Sequence, residues 1–453
     1  MTSRAESLIE DLSALHPKGY DLSLGRIRRL LERLGNPERD LPPVVHVAGT
    51  NGKGSTVAFL RAILEAAGLV VHAHTSPHLV RWHERYRVRG EIVDDVALAD
   101  AIMRVAEANG GEPITVFEIL TAVAFVLFSE TPADVALIEV GLGGRFDATN
   151  VVEKALAVIT PVGLDHMAHL GDTTGKIAFE KAGILVPGAP LVLGVQDAEA
   201  RDTIDGVALP MGIEPFAAGQ DFQAQVERGR MVYQDVLDGG CLLDLPLPSL
   251  AGPHQIDNAA TAIAAARVLA GRGVVQLTDD VLAEAIEKGV TRAEWPARLQ
   301  RITGGPLMEG APPGTELWLD GGHNPHAAAA VAQHLSTLGE EDDRPLFMVA
   351  GMLDTKEPGP FFATFAGLVR HVFAVPLASS DAGIAPDALA RAAREAGLSA
   401  EPAEGVRDAL ATLYRDWPYE PQVGRAGAPR VLLTGSLYLA GEVLSQSSSR
   451  FAT

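Results

Sequence analysis

The stretch "VVHVAGTNGKGST" at 44–56 ends an apolar run in three glycines, a lysine and hydroxyl residues. A strand that opens into a glycine turn and then a helix makes an anion cradle. Successive backbone N–H groups converge on the ligand, and the helix N-terminus adds partial positive charge. The candidate phosphate ligands are Gly49, Thr50, Asn51, Gly52, Lys53, Gly54, Ser55 and Thr56. Glycine lets bare backbone approach closely. Lys53 would reach the outer phosphates, and Ser55 or Thr56 would touch them or a magnesium ion. The common phosphate loop has a longer spacer before its Gly-Lys pair and a hydroxyl directly after the lysine. Here two residues separate Gly49 from Gly52-Lys53, and Gly54 precedes Ser55. The same residues also fit a tight strand-to-helix turn with an exposed lysine.

A second concentration of chemistry is "SPHLVRWHERYRVRGE" at 76–91. Arg81, Arg85, Arg87 and Arg89 fall within nine residues, with Trp82 and Tyr86 among them. If the segment is a strand, Arg85, Arg87 and Arg89 share one face. Guanidinium forks suit carboxylates, and aromatic faces suit a planar ring. A solvated basic loop is the plainer alternative. "DGGHNP" at 320–325, taken alone, is a strand-end turn with a polar cap. "DLSLGRIRRLLERLG" at 21–35 is an amphipathic helix after an acidic turn.

Positioning these residues takes an α/β architecture with mainly parallel sheet, because apolar runs of strand length alternate with longer amphipathic stretches. "VVHVA", "LVVHAHTS", "ADVALIEVGLGG" and "ALAVITPV" read as strands. "STVAFLRAILEAAG", "FEILTAVAFVLF" and "QIDNAATAIAAARVLAG" read as helices, with Gly68 as a C-terminal cap. From Phe222 to Leu245 alternating "FQAQV" and "MVYQDVL" predict a small antiparallel addition. After "EWPARLQRI" the alternation restarts with "ELWLDGG", "LFMVAGM", "HVFAVPL" and "RVLLTGS". "GRAGAPR" before the last strand reads as a flexible surface loop. The expected fold is an N-terminal P-loop ATPase-like domain at 1–295 with a parallel sheet and the antiparallel addition. A smaller, Rossmann-like α/β domain follows at 296–453.

The bulk numbers exclude several classes. At 453 residues the chain exceeds one typical core; about 150 residues per domain gives roughly three as a loose prior. Against 58 acidic side chains stand 37 basic ones, a net charge of −21 that repels phosphate backbones and disfavours general nucleic-acid binding. The single cysteine, Cys241, rules out an internal disulfide and a cysteine-rich zinc cluster. No run approaches the roughly 18–20 apolar residues of a membrane helix, and acidic residues stand where a signal peptide would be apolar. The expectation is a cytoplasmic monomer with small-molecule partners, without nucleic acid or membrane.

"GTNGKGST" resembles the ATP loop of the Mur ligase superfamily, specifically of the folylpolyglutamate and dihydrofolate synthases. Further stretches resemble that family in the same order: "TSPHLVRWHERYRVRGE", "FEILTAVAF", "EVGLGGRFDATN", "DHMAHLGDTTGKIAFEKAGI", "GPHQIDNAATAI", "WPARLQ", "DGGHNPHA" and "GSLYLAGEVL". The resemblance implies ATP-dependent addition of L-glutamate to dihydropteroate, to reduced folates, or to both, through an acyl phosphate. It implies a first magnesium site at Ser76, Glu139 and His166, which spacing alone does not reveal, and a second at Lys181 carried as a carbamate. Read alone, Ser76 is a cap, Glu139 a surface carboxylate, His166 a loop histidine and Lys181 a helix-surface lysine paired with Glu180. The resemblance places the nucleotide between the domains. Asn258 and Arg298 then lie on its phosphates, and Asp320 and His323 near nucleotide and glutamate. It assigns Lys53, Lys181, His166, Asp320 and His323 to the chemistry, and Asp21, Arg26, Arg85, Phe117 and Ala148 to the pterin pocket, the last two on loops. Ala297 replaces the family's usual glycine, Gly322 a more common alanine, and Tyr86 a frequent isoleucine.

Two other readings compete. A Mur-type ligase acting on a cell-wall precursor is disfavoured by "GTNGKGS", "SPHL" and "HER". A non-catalytic nucleotide-binding module is disfavoured by the joint presence of Glu139, His166, Lys181, Arg298 and Asp320.

Overall fold

The structure, a computed structural model, describes residues 3–13, 23–415, 417 and 427–447. The chain divides into two compact units, Met1–Ser249 with Gln255–Glu294, and Leu250–His254 with Trp295–Thr453.

In the first unit the strands are β1 Val44–Ala48, β2 Val71–His74, β3 Tyr86–Val88, β4 Glu91–Ile92, β5 Val135–Glu139, β6 Leu156–Ile159, β7 Leu191–Leu193 and β8 Pro215–Ala217. They form one sheet in the order β4-β3-β2-β5-β1-β6-β7-β8. Pairing is parallel from β2 to β8, while β3 and β4 add antiparallel at one edge. The central strands are buried at every position, as a sheet covered on both faces requires. Helix Val116–Ser129, opened by a reciprocal Thr115–Glu118 capping box, fills one face with Ile119, Val123 and Phe125. Helix Lys53–Ala66 ends where Gly68 turns left-handed, φ 85°, and Leu69 N–H returns to Leu64 O at 3.1 Å.

The antiparallel addition follows as β9 Phe222–Glu227, β10 Arg230–Asp235 and β11 Cys241–Leu245. Arg267, on the alanine-rich helix Pro253–Gly271, ties it down by donating to the fully buried Asp235, Nε to Oδ2 at 2.5 Å.

The second unit holds β12 Gln300–Ile302, β13 Glu316–Leu319, β14 Leu346–Ala350, β15 Val369–Ala374, β16 Ala400–Pro402 and β17 Arg430–Thr434. The sheet order is β12-β13-β17-β14-β15-β16, parallel except for β12. β17, last in sequence, lies between β13 and β14, and a Glu316–Arg430 pair at 2.7 Å joins the starts of β13 and β17. The expected surface loop "GRAGAPR" therefore needs correcting at its described end: Ala428 and Arg430 are buried, because they lead into a central strand. The α/β class and the parallel-dominated sheets are as expected from the sequence. The short strands β7, β8, β12 and β16 carry too few residues for a periodic signal. Among the described residues no helix is long and apolar enough to cross a membrane.

Candidate active site

The glycine turn lies between β1 and helix Lys53–Ala66, and its glycines have identifiable causes. Gly49 and Gly52 take φ 148° and 84°. A Cβ on Gly49 would overlap Thr160 Oγ1, and one on Gly52 would overlap Asn258 Oδ1. Asn258, far away in sequence, therefore stands against the turn, where it also donates to Gln255 at 3.0 Å.

The turn's N–H groups are not all available to an anion. Thr50 and Asn51 both donate to Pro161 O, at 2.9 and 3.2 Å, and Thr56 N–H closes the first helical bond on Gly52 O. Lys53, Gly54 and Ser55 open the helix ahead of that bond, so no intrahelical acceptor serves their N–H groups. Within the expected cradle from Gly49 to Thr56, the N–H groups of Thr50 and Asn51 are thus strapped to the loop after β6. Thr50 Oγ1 tightens the strap, donating to Gly163 O at 3.0 Å.

Lysine chemistry converges on one carbonyl. Lys53 Nζ donates to Gly49 O at 3.1 Å and Thr50 O at 3.2 Å, and lies 4.0 Å from Glu139 Oε1. Lys53 is thus no exposed loop lysine. Lys181 Nζ donates to the same Gly49 O at 2.9 Å. It is buried, and desolvation, then the Lys53 charge, push its amine down to about 7 against partial support from Asp165 and Asp147. The helix-surface reading of Lys181 is excluded.

Glu139, at the end of β5, is only 4% exposed, so it is not a surface carboxylate. Its Oε2 accepts from Ser76 N–H at 3.2 Å, which brings together two of the three residues of the expected first metal site. His166 has a left-handed backbone, φ 50°, and a half-exposed side chain whose Nε2 lies 3.9 Å from Asp165 Oδ1. Among the described residues no three His, Cys, Asp or Glu side chains gather to hold a metal. A single buried carboxylate beside a serine still fits magnesium, which takes few protein oxygens and fills its shell with phosphate and water. Lys53 supplies Glu139 with the counter-charge that a cation would bring.

The 141–150 loop after Glu139 is held from inside. Asp147 accepts from Leu142 N–H at 2.9 Å, Thr149 N–H at 3.0 Å and the Thr149 hydroxyl. The same Thr149 Oγ1 lies 2.8 Å from Nε2 of the fully buried His46 on β1. Ala148 lies on this loop, as expected, with its side chain buried in the core, whereas Phe117 belongs to the first turn of its helix and not to a loop. A Cβ on Gly141 would overlap the Phe117 ring. Sequence reasoning missed Thr160, Asp147 and Asp165; Asp147 and Asp165 stood within the family-like stretches, whereas nothing in the sequence marks Thr160.

The arginine-rich segment departs from expectation. Residues Trp82–Arg85 form a 3-10 turn, only Arg87 of the three alternating arginines lies in β3, and Arg89 is left-handed, φ 53°. They share no strand face, because the chain turns on both sides of a three-residue strand. Arg87 Nη1 donates to Gly90 O at 3.1 Å, and Arg89 Nη1 to Pro132 O at 3.4 Å. Tyr86 is fully buried with its hydroxyl donated to Leu120 O at 3.2 Å, so it offers no face to a ligand. Arg85 is 8% exposed; its guanidinium carbon lies 4.9 Å from the Trp82 ring centroid and covers that ring. Arg26, on helix Gly25–Arg33, donates Nε to the buried Glu118 at 2.9 Å, next to Phe117. Asp21 lies outside the described residues.

In the second unit Asp320 directly follows β13, buried, accepting from Leu299 N–H at 2.9 Å and Gly322 N–H at 2.7 Å. Burial pushes its carboxyl up, opposed by the Arg298 charge. The segment around Arg298 is conformationally demanding, with Ala297 at φ 58° and Leu299 at φ 43°. Arg298 Nη1 donates to Ala297 O at 2.8 Å. His323 Nδ1 lies 2.9 Å from Gly321 O. A Cβ on Gly322 would sit 2.8 Å from Asp320 Oδ1, so an alanine there would require that carboxylate to shift. Gly435 N–H donates to Gly322 O at 3.1 Å, which sets the start of helix Leu437–Ser447 beside this turn.

A strapped glycine turn with two lysines in one α/β unit, and a second α/β unit in the same chain, define the class of molecule that the family matches describe. Residues 47–266 match the Mur ligase middle domain and residues 298–423 the glutamate ligase domain of the Mur ligases. The folylpolyglutamate synthase of Lacticaseibacillus casei is 33% identical over 92% of this chain and 92% of its own. The dihydrofolate synthase/folylpolyglutamate synthase of Bacillus subtilis is 39% identical over 70% of this chain and 72% of its own. A bifunctional folylpolyglutamate synthase/dihydrofolate synthase, solved with Mn, AMPPNP and L-glutamate bound, superposes with a TM-score of 0.80 at 31% identity, covering 98% of this chain and 99% of its own. The chain belongs to the folylpolyglutamate synthase/dihydrofolate synthase family of glutamate ligases.

Proposed function

We propose that the protein uses ATP to join L-glutamate to the carboxylate of dihydropteroate, of reduced folates, or of both, acting as a cytoplasmic monomer. The observation that supports this best is the convergence of Lys53 and Lys181 on Gly49 O beside the buried Glu139. Two curated relatives differ in name, one for a single activity and one for both, so both acids are candidate substrates.

A carboxylate is a poor electrophile, so it is activated first. One of its oxygens attacks the γ-phosphorus of ATP, the bond to the bridging oxygen breaks, and ADP departs. The glutamate amine then attacks the acyl carbon, the carbon–oxygen bond to phosphate breaks, and the nitrogen loses a proton as the amide forms. Such phosphoryl transfer is largely positioning and charge stabilisation.

In this reading the 1–295 domain holds nucleotide and pterin acid. The N–H groups of Lys53, Gly54 and Ser55 receive phosphate oxygens, Lys53 turns its ammonium from the Gly49 and Thr50 carbonyls to the outer phosphates, and Asn258 borders them. Gly49, Thr50, Asn51, Gly52 and Thr56 shape the turn. The 296–453 domain supplies Arg298 and Asp320 to the nucleotide and His323 to the glutamate side. Magnesium, when bound, neutralises charge on the transferring phosphoryl group; Ser76, Glu139 and His166 would hold it. The desolvated amine of Lys181, near 7, is available to carbon dioxide at neutral pH, and its carbamate would hold a second ion. Arg85, Arg26, Phe117 and Ala148 line the pterin side.

Purified protein with MgATP and labelled glutamate, offered dihydropteroate and tetrahydrofolate separately, tests the proposal. ADP release should require both acid and glutamate, and amide should form with at least one acid; nucleotide binding without product from either acid would overturn it. In the same assay Glu139→Gln should move the magnesium optimum up by about tenfold or more. An unchanged titration would remove Glu139 from the metal site.

A further inference from the structure

We propose that His46 and Thr149 are positioning residues for the pterin side of the site, fixing the 141–150 loop so that Phe117 and Ala148 stand at the spacing the pterin acid requires. This rests on the reading of Phe117 and Ala148 as lining that side. His46 lies within β1, opposite Ile138 of β5 on one side and Ala157 of β6 on the other, and is fully buried. Such a strand position, covered on both faces, is ordinarily filled by an aliphatic side chain. Here an imidazole replaces one, with Nε2 2.8 Å from Thr149 Oγ1. Thr149 is fully buried too, and its hydroxyl donates to Asp147 Oδ1. Asp147 in turn ties the two ends of the loop together, accepting from Thr149 N–H at 3.0 Å on Oδ1 and from Leu142 N–H at 2.9 Å on Oδ2. Leu142 adjoins Gly141, against which the Phe117 ring stands so closely that a Cβ there would overlap it, and Thr149 adjoins Ala148. One carboxylate therefore sets the distance between the two residues of the pterin side, and His46 refers it to the centre of the sheet.

The protons of this chain can be placed one by one. Both Asp147 oxygens accept main-chain N–H groups and one also takes the Thr149 hydroxyl proton, which is the pattern of a carboxylate rather than of its acid; these bonds oppose the upward push of burial. A hydroxyl has one proton, so Thr149 Oγ1 offers the imidazole lone pairs alone, and Nε2 carries the hydrogen. Nδ1 is then a buried lone pair, without a hydrogen-bond partner among the described residues. Burial, then the Lys154 charge, oppose a second proton on the ring. An unpaired buried nitrogen costs stability. The histidine thus supplies Thr149 with a donor at a cost that an aliphatic side chain in β1 would not carry. Other ties hold the loop to the helix Thr174–Ala182 instead: Asn150 Nδ2 donates to Arg145 O and to Gly183 O, each at 3.0 Å.

Glutamine places an amide N–H close to where the imidazole Nε2 stands, and serine keeps the hydroxyl of threonine; leucine and valine remove these groups. In the full-length protein, assayed with whichever of dihydropteroate or tetrahydrofolate the wild type uses, His46→Leu and Thr149→Val should each raise the KM for the acid about tenfold or more. His46→Gln and Thr149→Ser should keep it within about threefold, and the KM for ATP should stay within about twofold in all four. His46→Leu and Thr149→Val combined should cost little more than either alone, because they cut one chain. In protein labelled at histidine, the nitrogen NMR spectrum should place the His46 proton on Nε2, the signal being assigned by its loss in His46→Gln. Thermal melts accompany each variant, and if His46→Leu does not fold, the comparison of Thr149→Val with Thr149→Ser decides. Equal KM values for the removing and the keeping variants, a rise in the KM for ATP that matches the rise for the acid, or a His46 proton on Nδ1 would overturn the inference. Phe117→Ala distinguishes the two levels. If it raises the KM for the acid while the variants at 46 and 149 are silent, the inference alone fails; if Phe117→Ala is silent, the reading of the pterin side fails and takes the inference with it.

Discussion

Lys53 shows how a side chain can serve the unliganded fold and the chemistry at once. Its ammonium bridges two carbonyls of the turn that it follows and faces the buried carboxylate of Glu139. Replacing it by alanine leaves Gly49 O to Lys181 alone and Thr50 O without this donor. We therefore expect Lys53→Ala to lower turnover at least about a hundredfold. It should also cost about 1 kcal/mol of stability in urea titrations, the usual net value of such hydrogen bonds. Normal turnover would remove Lys53 from phosphate binding, and unchanged stability would mean that the carbonyls find water at no loss. Residue types and their order in the sequence marked Lys53, Glu139 and Lys181, but their burial was not legible there. Glu139 read as a surface carboxylate, because a strand-end acid looks the same whether it faces solvent or a lysine.

At the scale of elements, the turns that carry the candidate site are the demanding parts of the chain. Gly52 is compelled both by its φ and by Asn258, whereas Ala297 occupies a left-handed position with a Cβ, where the resemblance leads one to expect glycine. An L-residue pays roughly 1–2 kcal/mol there. Ala297→Gly should accordingly stabilise the second unit, raising the urea midpoint by an amount worth about 1 kcal/mol, with turnover retained. A lower midpoint would show that chain entropy outweighs the relieved strain. The long strands and helices were legible because their apolar periods run over enough residues. The expected strand face of Arg85, Arg87 and Arg89 was not, because a 3-10 turn and a hairpin bend interrupt a three-residue strand. Alternation in so short a segment cannot distinguish a strand from a sequence of turns.

Over the whole molecule, acid sensitivity follows from histidines that the first unit's sheet buries in neutral form. His46 is lowered well below 6.5 by burial and then by Lys154. His72 is lowered by burial, while Nδ1 accepts from Arg89 N–H at 3.0 Å and Nε2 lies 2.8 Å from Thr131 O. Protonating His72 would destroy the acceptor that Arg89 uses. The folded values lie below the unfolded ones, so below about pH 6.5 the unfolded chain binds more protons and stability falls with pH. Stability in urea should therefore be level from about pH 7 to 8 and decline from about pH 6.5 to 5, less steeply in His72→Leu. A flat profile over that range would contradict the burial of neutral rings.

What the sequence determined by itself is the alternating α/β plan, the glycine turn between β1 and its helix, and the polar residues that mark a folate-type glutamate ligase. Those features are local, written in period, spacing and residue type. Only tertiary structure decided that Asn258 and Thr160 press on the turn and that Lys181 meets Gly49 across 132 positions of chain. The same holds for His78, whose Nδ1 accepts from Arg85 Nε at 2.9 Å. Gly49, Glu139 and Thr160 stand at the C-terminal ends of the parallel strands β1, β5 and β6, so the parallel order brings them to one end of the sheet, where the helices that carry Lys181 and Asn258 meet the turn.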